Sequence, residues 1–226
     1  MVLNGSPPSE ELLRWRTEEA DHVLAVDGGW HAWRHANLLP DVVIGDFDSF
    51  DEAKRVKKEF PSITLHHFEN QDRTDFQKAC DWVADFTQTK CLTVLGGLGN
   101  RSDHFLSNLF AAMQVNVSWV LSFDDEREWI RRITPSTPLV LNGRKGATIS
   151  LLPLVDCFGV QSSGLSWEIT NANLSPATSF SQSNQCETDE VRIECAKGTL
   201  FAVVPKGLWI QIKNSQKKPL RRVVFL

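Results

Sequence analysis

The first half of the chain alternates short apolar runs with amphipathic stretches, and this alternation restricts the possible folds more than any other feature of the sequence. Continuous apolar runs are typical of strands in a parallel sheet covered on both faces, and apolar residues at helical spacing predict the covering helices. Strands that alternate with helices indicate a doubly wound α/β sheet. The predicted strands are His22–Val26, Asp41–Ile44, Ile63–His67, Leu92–Leu95 and Val117–Leu121.

Four helices are predicted between these strands. The first covers Ser9–Ala20, where apolar residues recur at helical spacing. Ser49 and Thr74 are each followed three residues later by Glu or Gln, which is the spacing of a capping box, so each marks the start of a helix. The fourth helix is expected to begin near Ser102 or Asp103.

The pattern changes at about residue 123, where the helical signals stop and alternating apolar and polar residues are punctuated by Pro, Gly and Ser. Short strands roughly ten residues apart favour an antiparallel sandwich or a small barrel. We therefore divide the chain into residues 1–125 and residues 126–226. The predicted strands of the second part are Ala147–Leu152, Gly164–Ile169, Glu190–Cys195, Thr199–Val204, Leu208–Ile212 and Arg221–Leu226.

Composition excludes several classes of protein. With 24 basic and 28 acidic residues, the chain lacks the excess of Lys and Arg with which nucleic-acid-binding proteins neutralise phosphates. No apolar run reaches the roughly 18 residues of a membrane span, and the first residues do not resemble a secretory signal. The five cysteines show no C-x-x-C spacing and are interpreted as reduced thiols. We therefore expect a cytoplasmic protein without nucleic-acid or membrane partners.

Aspartates follow every one of the first four complete strands. Ligands of an open α/β sheet bind beyond the carboxyl ends of its strands, so these side chains are expected to meet at one edge. For any single aspartate, a turn or a helix cap is an equally good explanation, but that explanation is much weaker for the whole set. The six residues are Asp27, Asp46, Asp48, Asp72, Asp75 and Asp103.

A magnesium site is the chemistry that such a set favours. Asp46 and Asp48 are two residues apart, so in extended backbone both point the same way. Mg²⁺ usually takes one or two carboxylates and leaves its other positions to water and phosphate oxygens, with Asp75 or Asp103 as a further candidate. Without a cation, clustered aspartates would repel one another and raise their pKa values.

The segment Gly97–Ser102 nearly matches a dinucleotide fingerprint but lacks its third glycine, and it lacks the ending of a Walker-type loop. Its place between a strand and a helix still makes it a candidate anion site, because a helix N-terminus carries a partial positive charge. Lysine is absent from the four aspartate-bearing segments. Arg101 and metal ions are therefore expected to supply most of the positive charge for any phosphate.

These segments together resemble the signature blocks of the thiamine pyrophosphokinase family. The Gly-Asp-Phe-Asp-Ser run and the Thr-Asp pair make the resemblance specific at this spacing, whereas an Asp-Gly-Gly turn alone would not. In three positions the chain departs from the usual pattern, with Val26, Asn70 and Asn100 in place of alanine, aspartate and glycine. The matching blocks are Asp27–Gly29, Pro40–Ser49, Asn70–Asp75 and Gly96–His104, with Ser163–Trp167 and Ser183–Asn184 in the second half.

The resemblance implies a Rossmann-like, doubly wound catalytic domain that binds ATP and Mg²⁺ (residues 1–125). A β-sandwich domain that binds thiamine would follow (residues 126–226). It also implies a homodimer with active sites between subunits, and transfer of the terminal diphosphate of ATP to the thiamine hydroxyl, with release of AMP. Met1 falls inside the expected first strand, Met1–Asn4, so a truncated start is a further expectation.

The resemblance also implies residue roles. Asp46, Asp48 and Asp75 would coordinate Mg²⁺, and Arg101 and Asp103 would complete the catalytic set. Arg101 would stabilise charge on the transferred group or its leaving oxygen. Asp103 and Asp27 would orient Mg²⁺-bound water or the thiamine hydroxyl, and one of these two aspartates would accept the proton. For two residues a local role is equally supported: Thr74 as a helix cap and His104 as part of a first helical turn. Spacing alone favours Trp167 as a core residue of a strand, and only the family block makes it a thiamine contact. ATP would be bound by Asp27, Gly28, Thr74, Arg101 and His104, and thiamine by Gln71, Trp167, Ser183 and Asn184.

Three other functions remain open from the residues alone. A Mg²⁺-dependent nucleotide phosphohydrolase would use the same carboxylates with water as the nucleophile. A pyrophosphokinase acting on another alcohol, such as a pterin, would share the catalytic half. A non-catalytic sensor of thiamine or nucleotide is disfavoured, because such a protein is expected to have lost catalytic aspartates and this chain retains them.

Overall fold

The computed structural model describes residues 1–46, 50–68 and 72–206, without the side chains of residues 50–53. The chain forms two compact units. The first contains residues 1–116 and 123–126, and the second contains residues 117–122 and the described residues from 127 onward. Among the described helices, none is long and apolar enough to cross a membrane.

The first unit alternates strands with helices, as predicted. A 3₁₀ turn, Asp27–Gly29, joins its first strand to a short helix that the sequence pattern did not predict, since six residues are too few to show a helical period. The helices are α1 (Glu10–Glu18), α2 (Trp30–His35), α3 (Phe50–Glu59), α4 (Asp75–Phe86) and α5 (Ser102–Gln114). The strands are β1 (Leu24–Val26), β2 (Val42–Gly45), β3 (Thr64–His67) and β4 (Cys91–Val94).

The strands of this unit pair in parallel. β2 lies between β1 and β3, and Val2 forms parallel bridges with Ala25 of β1 and with Leu95, which directly follows β4. The segment around Val2 therefore takes the place of the expected first strand. β3 is more exposed than predicted, because Thr64 and His67 both face solvent.

The second half of the described chain forms nine strands. They are β5 (Val120–Asp124), β6 (Glu128–Ile133), β7 (Leu139–Asn142), β8 (Thr148–Pro153), β9 (Cys157–Ser163), β10 (Ala172–Leu174), β11 (Ser181–Gln185), β12 (Glu190–Glu194) and β13 (Leu200–Pro205). One sheet contains the order β11-β8-β13-β6-β5, the other has the order β10-β9-β12-β7, and the pairings among β6 to β13 are antiparallel. A single core of buried side chains draws on both sheets, for example Leu151 and Ala202 from one and Val160 and Ile193 from the other.

One predicted strand of the second unit is wrong. Within Gly164–Ile169 only Leu165 pairs, through an isolated bridge with Cys186, and the strand β9 lies just before this segment. Leu165 and Trp167 are two positions apart, as on one face of a strand, but Leu165 is buried while Trp167 is exposed, so the two do not share a face. Two further predicted strands, Leu208–Ile212 and Arg221–Leu226, lie outside the described residues.

Candidate active site

Asp27 lies at the end of β1 with a left-handed backbone (φ 48°), a conformation that aspartate tolerates better than most side chains. The side-chain amide of Asn4 donates to its carboxylate at 3.4 Å. Asn4 was not predicted as a site residue, although it follows the first strand segment in the same way as the aspartates follow theirs. The structure thus adds an amide to this group of strand-end side chains.

The close approach of Asn4 requires a glycine at position 28. A Cβ at position 28 would lie 2.2 Å from the side-chain oxygen of Asn4, so no larger residue fits without moving that side chain. The predicted role of Gly28 in ATP binding thus coincides with a packing role. The glycine lets Asn4 and Asp27 come together.

Asp46 directly follows β2 and is half-buried. β1 and β2 pair with Val26 opposite Ile44, so Asp27 and Asp46 leave neighbouring strands at the same sheet edge. The carboxylate of Asp27 also lies against Gly45, with one oxygen 3.6 Å from the place a Cβ would take there. Asp48 and Gln71, the other predicted residues near this edge, lie outside the described residues.

Asp46 and Asp75 are the described members of the predicted metal site, and their carboxylate oxygens are of the kind that Mg²⁺ prefers, with water and phosphate in its remaining positions. Within residues 1–46, 50–68 and 72–206, no group of three or more His, Cys, Asp or Glu side chains could hold a metal ion. The described part of the chain therefore fits Mg²⁺ as a partial site, to which a bound polyphosphate would add oxygen ligands.

Asp75 begins α4 and forms an ion pair with Lys78 one turn later, with 3.0 Å between Nζ and Oδ1. The Lys78 side chain is only 5% exposed, whereas that of Asp75 is 44% exposed. Lys78 supplies a positive charge that was not expected near the aspartates. This ion pair could have been predicted, because side chains three residues apart on a helix are neighbours.

Thr74 caps α4. Its hydroxyl accepts from the backbone N–H of Gln77 at 3.3 Å, and the Gln77 side chain accepts from the backbone N–H of Thr74 at 3.0 Å. This confirms the capping box expected from the spacing. The predicted contact of Thr74 with ATP has to coexist with this structural role.

Arg101 and Asp103 flank the start of α5 and contact each other. The guanidinium Nε donates to Oδ1 at 3.1 Å and a terminal nitrogen donates to Oδ2 at 2.6 Å. This contact lowers the pKa of Asp103 to about 2 and raises the pKa of Arg101. Both side chains are well exposed, at 64% and 63%, so the guanidinium is accessible to a phosphate.

The loop before α5 turns through left-handed backbone. Asn100 has φ 61°, a value that asparagine adopts more readily than other residues with a side chain, which explains why it can replace the usual glycine. The Asn108 amide donates to the carbonyl of Gly97 at 3.0 Å and fastens the loop to the helix. His104 lies exposed in the first turn of α5, as expected for either of its two predicted roles.

In the second unit, Trp167 is 66% exposed, so it is not a core residue. Ser183 is exposed, has φ 55° and donates its backbone N–H to Ser150 Oγ at 3.0 Å. Asn184 is only 2% exposed, and its amide contacts the main chain of Trp167. Three of the four predicted thiamine-binding residues are therefore described, and two of them are joined directly.

Known proteins resemble both units. The family model described as the catalytic domain of thiamin pyrophosphokinase matches residues 14–120, and the model described as the vitamin B1 binding domain of thiamin pyrophosphokinase matches residues 137–200. These two models describe one family, and together they match most of the chain.

Relatives and solved structures agree with the models. A thiamine pyrophosphokinase of Bacillus subtilis (strain 168) is 25% identical over 193 residues, covering 83% of this chain and 88% of that protein. Thiamine pyrophosphokinase 1 of Oryza sativa subsp. japonica is 28% identical over 173 residues, covering 73% and 66%. A crystal structure of thiamin pyrophosphokinase from Geobacillus thermodenitrificans has a TM-score of 0.74 at 20% identity, covering 90% of this chain and 95% of that chain. The chain belongs to the thiamin pyrophosphokinase family.

Proposed function

We propose that this chain transfers the terminal diphosphate of ATP to the hydroxyl of thiamine, giving thiamine diphosphate and AMP. The observation that carries the proposal is that one chain contains a catalytic-domain match and a vitamin B1 binding match of the same family. Family membership makes the chain an ATP-dependent thiamine diphosphokinase. The reaction is an in-line attack of an alcohol oxygen on phosphorus, so catalysis depends mainly on positioning and on neutralising charge.

The sheet edge of the first unit is the proposed phosphate and metal site. Asp46, Asp48 and Asp75 would hold Mg²⁺, which neutralises charge on the polyphosphate when bound. The side chain of Lys78 fixes Asp75 through its ion pair. The nucleotide would lie along Asp27, Gly28, Thr74 and His104, which stand at strand ends or at helix starts.

Arg101 is proposed to bind the transferred diphosphate, because its exposed fork can contact two oxygens at once. Asp103 orients that fork through two hydrogen bonds. With a pKa of about 2, Asp103 is a poor acceptor for the proton of the thiamine hydroxyl. Asp27 is therefore the proposed proton acceptor.

Thiamine is proposed to lie on Trp167, with Gln71 and the Ser183–Asn184 segment nearby. An exposed indole face suits the flat pyrimidine and the cationic thiazolium of thiamine through stacking and cation–π attraction. We propose a homodimer in which each active site combines the aspartates of one subunit with Trp167 of the other. A cytoplasmic location, a Rossmann-like class for the first domain (1–125) and a thiamine-binding sandwich for the second (126–226) complete the proposal.

Incubation of the protein with ATP, Mg²⁺ and thiamine tests this function. We expect AMP and thiamine diphosphate in equal amounts, and no nucleotide turnover when thiamine is left out. Release of phosphate or diphosphate without thiamine would instead indicate a phosphohydrolase. Turnover with a hydroxymethyl pterin but not with thiamine would indicate the other alcohol substrate.

A further inference from the structure

Trp167 projects from an irregular segment that is held in place by hydrogen bonds rather than by strand pairing. The segment follows β9, and its only described strand-like contact is the bridge between Leu165 and Cys186. An exposed side chain on such a segment would ordinarily sample several positions. Here polar side chains fasten the main chain on both sides of Trp167.

The Asn184 side chain makes the most direct of these contacts. Its amide nitrogen donates to the carbonyl of Trp167 at 2.8 Å, and its oxygen accepts from the N–H of Trp167 at 3.2 Å. The same amide also donates to Ser181 Oγ at 3.2 Å and accepts from the N–H of Gln185 at 2.8 Å. Two donors and two acceptors are the full capacity of an amide side chain. The buried amide of Asn184 therefore has no hydrogen-bonding position left for a ligand.

The Glu168 side chain fastens the other end of the segment. One carboxylate oxygen accepts from the backbone N–H groups of Gly164 and Leu165 at 2.6 and 3.1 Å, and the other accepts from the hydroxyl of Ser162. Gly164 has φ 87°, and a Cβ there would come within 2.4 Å of the carbonyl oxygen of Glu190. The turn that leads into Trp167 is thus fixed by its sequence and by Glu168.

We infer that Asn184 is a positioning residue that acts on thiamine through Trp167 and makes no direct contact with the vitamin. The inference rests on the proposed function and specifies how its thiamine site is built. Because Asn184 holds both polar groups of the Trp167 backbone, the main chain that carries the indole is fixed before thiamine arrives. A site ordered in advance does not have to be ordered by the ligand, which raises affinity.

A double-mutant cycle tests the inference. Asn184→Asp keeps the size of the side chain but puts an oxygen opposite the Trp167 carbonyl, while Gln182→Glu makes the same chemical change at an exposed position of β11. We expect the thiamine Kd of the Asn184→Asp variant to rise about tenfold with an unchanged KM for ATP, and no change for Gln182→Glu. In a Trp167→Ala background, Asn184→Asp should alter the thiamine Kd by less than about twofold. An equal loss in both backgrounds, or no loss in either, would overturn the inference.

A second measurement needs no ligand. The chain has eight tryptophans, so 5-fluorotryptophan labelling should give eight ¹⁹F resonances, and the one missing in Trp167→Phe identifies Trp167. We expect Asn184→Asp and Glu168→Gln to shift and narrow this resonance while the other seven stay in place. Glu168 is exposed, so its variant is expected to fold even if Asn184→Asp does not.

The two measurements separate two kinds of failure. If wild-type protein does not bind thiamine, the proposed function fails, and the ¹⁹F spectra still decide whether Asn184 orders Trp167. If the Trp167 resonance is unmoved in both variants, the positioning role is wrong whatever happens to thiamine affinity.

Discussion

The guanidinium of Arg101 and the carboxylate of Asp103 meet in a two-point contact, at 3.1 and 2.6 Å, on the exposed start of α5. A flexible, exposed arginine would sample many directions, but this contact fixes the plane of its fork. The contact also changes what Asp103 can do, because a carboxylate that is stabilised as an anion is a weak base. The pair therefore serves phosphate binding better than it serves proton transfer.

Replacing Arg101 with lysine should lower turnover by about 100-fold, because lysine keeps the charge but cannot contact two oxygens as a planar fork. Thiamine affinity should change much less, since the proposed contact is to phosphate. Steady-state kinetics together with thiamine binding measurements check this. A variant that binds thiamine poorly but turns over normally would contradict the assignment.

The Asp103 carboxyl should remain ionised at pH 4, where an ordinary aspartate is roughly half protonated. Its pKa is lowered from 3.8 to about 2, mainly by its hydrogen bond from Arg101. The pair therefore stabilises the folded protein fully at pH values above the ordinary aspartate pKa of 3.8. This contribution to the free energy of unfolding is lost as the pH falls from there towards 2. A ¹³C NMR titration of the side-chain carboxyl between pH 6 and 3 measures this. In Arg101→Met the same resonance should titrate near its ordinary pKa, and identical curves for the two proteins would be inconsistent with the pairing.

Replacing Lys78 with methionine should reduce kcat/KM by about tenfold with little change in melting temperature. Methionine fills a similar volume without a buried charge, so folding does not suffer, but Asp75 loses the partner that fixes its carboxylate. Lys78→Arg, which keeps the charge, should retain more activity and is the matched control. Full activity in Lys78→Met would show that the ion pair between Lys78 and Asp75 is not needed for catalysis.

Several features of the fold and the site could be predicted from local sequence, and others could not. The capping box at Thr74 was predictable because both partners lie within four residues of each other. The neighbouring cation Lys78 was not predicted, because it lies one helical turn beyond the strand ends where ligands of an α/β sheet are expected. β11 gave no signal, since its residues Ser181–Gln185 are all polar and only pairing with β8 makes them a strand. The exposure of Trp167 could not be predicted from local sequence either, because it depends on the chain leaving the strand β9 at Ser163.

Replacing Asp48 with asparagine should abolish most of the turnover, by at least about 100-fold, while thermal stability stays similar or rises. The substitution preserves shape but removes a negative charge that Mg²⁺ would use, and it relieves repulsion among the aspartates. Asp85→Asn, at an exposed position of α4, is the control for a change of charge alone. Near-normal turnover in Asp48→Asn would exclude Asp48 from the metal site.

Mixing two inactive variants tests the shared active site. In a mixed dimer of Asp48→Asn and Trp167→Ala subunits, one site would carry both defects and the other would carry neither, so activity should reappear after subunit exchange. Each variant incubated alone through the same exchange procedure is the control. If every site is built from a single chain, each site keeps one defect and mixing restores nothing.

Labelled ATP gives the most direct test of diphosphate transfer to thiamine. Parallel reactions with γ-³²P and α-³²P ATP, Mg²⁺ and thiamine are separated by chromatography. We expect the γ label to appear in thiamine diphosphate and the α label to appear in AMP, at equal rates. An α label in ADP, or a γ label released as phosphate or diphosphate without any in thiamine diphosphate, would contradict it.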